Sequence, residues 1–418
     1  MNWFRMKCRE HELTETRSIS EFPDEVLLKI LHCLPSKDAV ATSVLSSQWR
    51  SLWKELNTFR YDGCSYSRDY RRFLLFITNL SNLESLDLRI DPAYMNGQIR
   101  TLVNLAVTRS LRKLSVVMVC SCFELPKSLF IYSQLETVII EKASLVDVPL
   151  DARLVCLKSL RLLSVRFSND ESVERLLSRC PVLEDLVVRR ISFTNVKVFT
   201  IDVDTLRSLC IDNSSGKARP EGVHGFVIRT PSLRCFTIKD RFSNYLQFED
   251  MPELVKASVS VVSDQALGCL ASTQYLSLCS LTSQTPSGIS FLSLEHLELC
   301  TCSSEWWNLL TLILNAAPML QVLKLKLFQK HCVQHDTIDS WKQPSHVPES
   351  LTSHLETFEW RQYKGTEKER DAAMYILANA SGLKKATFYS ESAEKHEILK
   401  ELECVAKEVQ SSCTFVFE

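Results

Sequence analysis

The 418-residue sequence has little glycine, no long apolar run and no excess of charge of either sign. Nine glycines argue against a turn-rich β-sandwich and against an enzyme that cradles a nucleotide. No apolar run reaches the roughly 18 residues that span a bilayer, and the polar residues 1–18 carry no signal-peptide core. The net charge of −1 gives no general attraction to nucleic acid or to an anionic membrane. We therefore expect a protein of the nucleus, the cytoplasm or both, with no nucleic-acid and no membrane partner.

Motifs of catalysis and of metal binding are also missing. There is no G-x-S-x-G, no G-x-x-x-x-G-K-[ST], no H-E-x-x-H and no C-x-x-C in the sequence. The sixteen cysteines are expected to be reduced and mostly to fill the core. For the C-x-C pairs Cys120/Cys122 and Cys300/Cys302, core packing is favoured over metal binding. The group around His331 and His335 is expected to be a solvated loop and not a metal site. The sequence thus predicts a non-catalytic chain with no cofactor and no metal.

Residues 19–53 show an apolar pattern of three very short helices. Pro23 can begin the first helix and Pro35 must end it. Ser36 can cap the second helix and Ser46 the third. The apolar faces would be formed by Val26, Leu27, Ile30, Leu31 and Leu34, by Ala39, Val40, Ser43 and Val44, and by Trp49, Leu52 and Trp53. A unit below about 40 residues rarely buries enough surface to stand alone, so these helices are expected to share their apolar face with a partner or with the rest of the chain.

This stretch resembles the F-box, in the wording of its plant branch. The resemblance lies in Phe22-Pro23, the Leu34-Pro35 step, the segment 37–46 and the Trp49-Arg50 close, while Phe22 and Gln48 replace the usual Leu and basic residue. It implies that the helices dock on a Skp-type adaptor, which connects them to a cullin, by apolar burial of a helix in a groove. The implied contact residues are Phe22, Pro23, Val26, Leu27, Ile30, Leu31, Leu34, Val40 and Trp49. For Val44, Leu45 and Leu52, contact with the adaptor and packing between the helices are equally open, and Trp53 is a candidate for packing on the first repeat.

A six-residue phrase recurs after residue 80: Leu, two mostly polar residues, an apolar residue, any residue, an apolar residue. Its opening residues from Leu83 to Leu320 are spaced at the period of leucine-rich repeats, which is about 20–29 residues with one strand per repeat. Helical phrases at 170–181 and 304–318 complete a coil of strand, turn, helix and return. The phrase resembles the repeats of plant F-box proteins but lacks their regular Asn, so an irregular array is expected. A globular α/β domain is the alternative.

The last segment resembles the FBD domain that accompanies F-boxes and leucine-rich repeats in plants. The matching residues include Trp341, the phrase at 347–351, the phrase at 355–360, Glu369 and the phrase at 383–386. The six-residue pattern returns at Leu355 and Leu383, with a helix predicted between them over 370–380 and another over 394–410. Cys413, Phe415 and Phe417 alternate as a last strand. We expect this segment to continue the repeats and to cap their open end.

The predicted architecture is α/β: an all-helical F-box followed by an irregular leucine-rich-repeat solenoid and an FBD cap. The predicted bounds are a polar tail at 1–18, an F-box at 19–65, repeats at 66–340 and an FBD domain at 341–418. The resemblance to plant F-box/FBD/LRR-repeat proteins implies the substrate-recognition subunit of a Skp-cullin-F-box ubiquitin ligase, which presents a target protein on a curved repeat surface. The alternatives are a non-degradative interaction scaffold and a receptor that needs a small molecule or an inositol phosphate. For the latter, Lys324, Lys326 and Lys330 would form a cationic stripe, although a solvated outer face is favoured.

Overall fold

The chain packs as two compact units, Met1–Val119 and Cys120–Glu418. The structure, a computed structural model, describes residues 19, 22–62, 75, 77–80, 82–90, 96–118, 123–145, 148–190, 195–215, 222–261, 268–280, 288–303, 306–327, 344, 346–390, 400, 402–404 and 413–417. Within these residues, no helix is both long and apolar enough to cross a membrane.

The first unit combines short helices with a parallel sheet. Its helices are α1 (Asp24–Cys33), α2 (Ser36–Ala41), α3 (Trp49–Leu52) and α4 (Asn96–Val107), with 3-10 turns at Thr42–Val44 and Trp53–Glu55. Its strands are β1 (Thr58–Asp62), β2 (Ser85–Ile90) and β3 (Lys113–Met118), which pair in that order. The prolines act as predicted, since Pro23 and Pro35 each stand directly before a helix. The F-box part of the prediction, three short helices, is confirmed.

Two details of these helices differ from the prediction. Ser36 is the first residue of α2 and does not cap it; its Oγ instead accepts the N–H of Arg60 at 2.8 Å. The helix stops at Ala41 and tightens into a 3-10 turn, so Val44 does not share the face of Ala39 but lies exposed. Short 3-10 turns of this kind are common at helix ends. The change of winding is what turns Val44 away from the interior.

The second unit is a stack of parallel strands. The strands of its main sheet pair in chain order: β5 (Thr137–Glu141), β7 (Ser159–Leu163), β9 (Asp185–Arg189), β11 (Ser208–Asn213), β13 (Cys235–Asp240), β15 (Lys256–Val261), β16 (Tyr275–Ser280), β17 (His296–Cys300), β18 (Val322–Lys326), β19 (Thr357–Arg361), β20 (Lys385–Tyr389) and β21 (Thr414–Phe417). Neighbouring strands are in register, with Leu209 opposite Phe236 and Leu297 opposite Leu323. This is the stacking of one coil on the next that a leucine-rich-repeat solenoid requires.

Every copy of the six-residue phrase runs into a strand. The strand begins two residues after the opening residue of the phrase. The opening leucines and the two following apolar residues are buried, and each such side chain contributes about 1.5–3 kcal/mol when fully buried. The degenerate copy that opens at Thr273 is buried as well. Thr273 Oγ1 donates to the carbonyl of Leu270 at 2.7 Å. A polar residue can therefore replace leucine at this position without leaving a buried hydroxyl unpaired.

Two small parallel sheets in the second unit were not predicted. Their strands are β4 (Phe123–Glu124), β6 (Ala143–Leu145) and β8 (Arg166–Phe167) in one, and β10 (Val198–Asp202), β12 (Gly225–Arg229) and β14 (Tyr245–Phe248) in the other. Short second strands and helices therefore both occur in these repeats: β8 is followed by the helix predicted at Asp170–Ser178, whereas β10, β12 and β14 stand in coils for which the described residues hold no helix. Gly225 is needed for this pairing, because a Cβ there would lie 1.6 Å from the carbonyl oxygen of Tyr245.

Three helices of the second unit lie where the prediction placed them, or close to it, and a fourth, at Ser128–Ile131, was not predicted. They are α5 (Ser128–Ile131), α6 (Asp170–Ser178), α7 (Trp306–Ala316) and α8 (Glu367–Asn379), with a 3-10 turn at Gly268–Leu270 and a π-helical turn at Ser350–His354. Helix α8 begins three residues before the predicted start because of a capping box. Thr366 Oγ1 accepts the N–H of Glu369, whose carboxylate in turn accepts the N–H of Thr366 at 3.3 Å.

The C-terminal strands continue the main sheet, as predicted. The aromatic rings of Phe358, Trp360 and Phe388 are fully buried, and the ring of Phe388 stacks on that of Phe415 at 5.4 Å. This carries the core through β19 and β20 to β21. Of the helix predicted over 394–410, only residues 400 and 402–404 are described; they are helical, and Leu402 is buried.

Candidate functional site

Helix α1 has one apolar face inside the first unit and another in solvent. Leu27 and Leu31 are 0% exposed, whereas their neighbours Val26 and Ile30 are 37% and 38% exposed. Phe22, four residues before Val26, is exposed as well. Val26 and Ile30 lie four residues apart on one side of the helix and form an apolar strip along α1, with Phe22 just before the helix begins. Solvent-exposed apolar strips of this kind are typical of helices that dock on a partner.

The remaining predicted contact residues divide between surface and interior. Pro23 is exposed, Leu34 and Val40 are half-buried, and Trp49 is buried. In the folded unit Trp49, Leu27 and Leu31 offer almost no surface, so they support the exposed strip from below. Contact of the nine residues with an adaptor stays a prediction.

Val44 and Leu45 are exposed apolar residues that were not among the nine predicted contact residues. They are 85% and 57% exposed, because the 3-10 turn after α2 directs them outward. Leu52 and Trp53, by contrast, are buried. The sequence left the place of Val44 and Leu45 open, and the backbone winding at Thr42 decides it. We call Phe22, Val26, Ile30, Val44 and Leu45 the apolar surface.

Gln48 fixes the beginning of α1. Its Nε2 donates to Asp24 Oδ1 at 2.7 Å and to the carbonyl oxygen of Phe22 at 3.3 Å. A side chain from just before α3 thereby holds the first residues of the apolar surface. The departure from the usual basic residue at this position thus keeps a polar link between the helices.

A second candidate surface lies on the main sheet of the second unit. Because side chains alternate along a strand, the residues between the buried positions of β15 to β20 share the other face of the sheet. We call nine polar and charged residues of this row the polar ladder: Lys256, Tyr275, His296, Glu298, Lys324, Lys326, Glu359, Arg361 and Tyr389. They come from six consecutive strands and include half-buried and exposed members. A protein partner laid across these strands would meet all of them.

Aromatic rings stack at one end of the polar ladder. The rings of Tyr275 and His296 lie 4.4 Å apart and nearly parallel, and Lys256 Nζ lies 4.6 Å from the Tyr275 ring centre. Burial, and then the hydrogen bond to Glu298, raise the pKa of Tyr275. Burial, and then the positive charge of Lys324, lower the pKa of His296. His296 is therefore neutral near pH 7 and its Nε2, 3.8 Å from Glu298, lacks a hydrogen-bond partner among the described residues.

Carboxylates pair with the two lysines that β18 contributes to the polar ladder. Lys326 Nζ lies 2.6 Å from Glu298, and Lys324 Nζ lies 3.9 Å from both Glu298 and Glu359. Glu359 also pairs with Arg361. Burial acts to raise the pKa of Glu298, but hydrogen bonds from Lys326 and Tyr275 outweigh it, and the pKa is lowered. Lys324 and Lys326 thus do not form the cationic stripe that an inositol-phosphate receptor would need, and Lys330 lies outside the described residues.

Comparison with known proteins identifies three regions. The model of the F-box domain matches residues 19–61, that of a leucine-rich repeat matches 156–181, and that of the FBD domain matches 343–388. A putative FBD-associated F-box protein of Arabidopsis thaliana is 52% identical over 400 residues, which cover 94% of this chain and 90% of the relative. A second such protein is 44% identical over 96% of this chain and 99% of its own length, and an F-box/FBD/LRR-repeat protein is 38% identical over 96% and 98%, both from the same plant.

The chain belongs to the plant F-box/FBD/LRR-repeat proteins. Proteins of this family are typically non-catalytic adaptors, and the F-box and repeats support a substrate-adaptor role. The F-box match contains the whole apolar surface, and this domain supports binding to a Skp-type adaptor. The polar ladder reaches from the repeats into the FBD match, since β19 and β20 lie largely within it. The repeats support interaction with other proteins.

Two of the other candidate groups that the sequence offered lie outside the described residues. They are the pair Cys120/Cys122 and the group around His331 and His335. The predicted domain boundaries at residues 65 and 340 stay a prediction. Along the chain, the first compact unit ends at Val119 and the second begins at Cys120.

Proposed function

We propose that this chain is the substrate-receptor subunit of a Skp-cullin-F-box ubiquitin ligase. The observation that carries the proposal is α1, whose Leu27 and Leu31 hold the helix in place while Val26 and Ile30 remain in solvent. The partner that fits this surface is a Skp-type adaptor, whose groove would cover the strip and exclude water from it. Through that adaptor the chain would be tied to a cullin.

The proposed mechanism is proximity. The receptor holds a target protein near a thioester that another subunit carries, which replaces a rare encounter by a high effective concentration. Such a mechanism asks for two binding surfaces and for no catalytic residue in this chain. The apolar surface and the polar ladder are the two surfaces assigned to these roles.

We place the target protein on the polar ladder. Glu298 and Glu359 pair with Lys324, Lys326 and Arg361 within the row, but the four cations of the ladder outnumber its two carboxylates, so a partner gains both from matching hydrogen bonds and from acidic groups. His296 Nε2 supports this assignment, because a buried polar atom without a partner is costly until a ligand satisfies it. The target is therefore expected to be a folded or extended protein segment with polar and acidic groups.

Binding of the adaptor is tested by charge substitution in the exposed strip. The double variant Val26→Asp/Ile30→Asp should weaken binding of a purified Skp-type adaptor by about 100-fold or more, which corresponds to about 3 kcal/mol, because two carboxylates would have to be buried without partners. Titration calorimetry measures the affinity, and circular dichroism checks that the helices remain. The matched control is Val182→Asp/Val255→Asp, which changes two exposed valines of the second unit.

The outcomes separate the alternatives. Unchanged adaptor affinity in the Val26→Asp/Ile30→Asp variant would refute the adaptor assignment. If the adaptor binds but no captured protein accumulates under proteasome inhibition, the chain acts as a non-degradative scaffold. A change of captured proteins in a Glu298→Lys variant, with the adaptor still bound, would support the target assignment.

We also propose that the chain acts in the nucleus, the cytoplasm or both. Cys33, Cys156 and Cys235 are exposed thiols outside any disulfide, which suits a reducing compartment. Fluorescent fusion of the full-length chain tests this directly, and accumulation in a secretory compartment would contradict it.

A further inference from the structure

Three cysteines of the second unit meet where strands β16 and β17 end. Cys279 lies near the end of β16, Cys300 is the last residue of β17, and Cys302 follows two residues later. All three are buried, and their sulfur atoms lie within 4.8 Å of one another. The Sγ atoms of Cys279 and Cys302 are 3.6 Å apart.

The 3.6 Å separation is close to that of two sulfur atoms bound to one metal ion, and the three sulfur atoms all lie within 4.8 Å of one another. A zinc–thiolate bond of about 2.3 Å places two sulfurs of a tetrahedral site about 3.8 Å apart. The cluster is also held rigidly. The N–H of Thr301, between the two later cysteines, donates to the carbonyl of Lys326 at 3.2 Å, and Leu327 packs against the sulfurs. A site whose ligands are already close loses little conformational freedom when the ion binds.

We propose that Cys279, Cys300 and Cys302 bind one soft, thiophilic cation, Cu(I) or Zn²⁺. Thiolate is the ligand type that selects these ions over magnesium or calcium. In binding, each thiol that becomes a ligand releases its proton to solvent and forms a sulfur–metal bond. The ion would join the ends of two consecutive repeats from a buried position.

The alternative is three packed thiols. Burial of Cys300 and Cys302 is what the sequence predicted, and a buried thiol elsewhere, Cys180, simply donates to the carbonyl of Leu176 at 3.3 Å. Hydrogen bonds with Cys300 and Cys302, followed by burial, raise the pKa of Cys279. What favours a metal is that the third sulfur comes from a neighbouring strand and meets the other two at ligand spacing. Ordinary packing of small apolar residues does not require sulfur to meet sulfur.

The number of ligands distinguishes the two ions. Among the described residues, the group consists of these three cysteines. Three thiolates alone suffice for Cu(I), whereas Zn²⁺ takes four ligands and would need one more, such as water.

The test uses the full-length chain, purified with a non-thiol reductant, freed of metal and then loaded with either ZnCl₂ or a Cu(I) complex. We expect one ion per chain to remain after gel filtration and the melting temperature to rise, as it does for any ligand that binds only the folded state. X-ray absorption on the loaded wild-type chain should show about three sulfur neighbours at about 2.3 Å. This measurement uses only the wild-type chain, so misfolding of a variant cannot affect it.

Substitutions then identify the ligands. Cys279→Ser, Cys300→Ser and Cys302→Ser should each lower metal affinity by more than about 100-fold, since even loss of an outer hydrogen-bond partner of a ligand costs about 10–100-fold. Cys180→Ser, a buried cysteine outside the cluster, and Cys235→Ser, an exposed one, should leave the affinity unchanged. The proposal fails if neither ion is retained, if its neighbours are nitrogen and oxygen only, or if Cys180→Ser weakens binding equally.

Discussion

The helices of residues 24–55 and the main sheet of the second unit treat their apolar residues differently. In α1, buried Leu27 and Leu31 alternate with exposed Val26 and Ile30. In the sheet, the apolar positions between Leu135 and Leu383 are buried and the other face carries the polar ladder. The sheet can hide these apolar positions because each inner strand has a neighbour in register on both sides. Three helices of four to ten residues have too little mutual surface to do so.

This difference separates two kinds of recognition within one chain. The apolar surface gains its free energy from removal of water, and a family of similar grooves can satisfy it. The polar ladder depends on matched hydrogen bonds and charges, which discriminate between partners more sharply. A receptor that uses one constant partner and one chosen target needs both kinds of surface.

The largest effect is expected in the sheet core. Trp360 is fully buried, and its ring contacts those of Trp306, Phe358 and Tyr363 at 5.1–6.1 Å. Trp360→Ala should lower the free energy of unfolding by about 3–5 kcal/mol, because the cavity cannot be refilled by its rigid neighbours. Urea denaturation measures this. Met374→Ala, at an exposed position of α8, should change it by less than about 0.5 kcal/mol, and equal effects would show that this core is not tightly packed.

The next effect compares two neighbouring residues of α1. Leu27→Ala should cost about 2–5 kcal/mol of stability because it empties an interior site. Val26→Ala should cost less than about 0.5 kcal/mol, yet weaken adaptor binding. Urea denaturation, together with calorimetric titration of the adaptor, measures both quantities. If the two variants behaved alike, α1 would not have separate interior and partner faces.

The smallest effect is expected on the polar ladder, and it depends on pH. The pKa of His296 is lowered in the folded chain. As the pH falls below the ordinary histidine pKa of about 6.5, the unfolded chain therefore binds the proton first, and the free energy of unfolding decreases. The pKa of Glu298 is lowered too, so its ionic contribution is present above its ordinary value of 4.5 and is lost as the pH falls through the folded value.

Thermal melting between pH 7.5 and 3.5 resolves the two steps. His296→Gln should remove the loss that begins near pH 6.5, and Glu298→Gln the loss that begins near pH 4.5. Melting curves that kept the wild-type pH dependence in both variants would show that the polar ladder is too hydrated to contribute.

Much of this molecule follows from local patterns. The F-box residues, the strand positions and the helices at 170–178 and 306–316 were predictable, since proline placement and apolar spacing act within a few residues. The small sheets were not, because β10, β12 and β14 pair only when separate coils stack. The sequence left open whether Val44 and Leu45 face solvent or the other helices, because a 3-10 turn and a further turn of α-helix are both compatible with these residues.

The sequence by itself determined the family, the order of its parts and the buried face of each strand. The tertiary structure alone decided which outer residues become neighbours: Glu298 with Lys326, Tyr275 with His296, and Cys279 with the pair at Cys300 and Cys302. The physical reason is that the repeats differ in length, so distance along the chain does not say which residues pair laterally. That is set by the hydrogen-bond register between strands, which exists only once the coils are stacked.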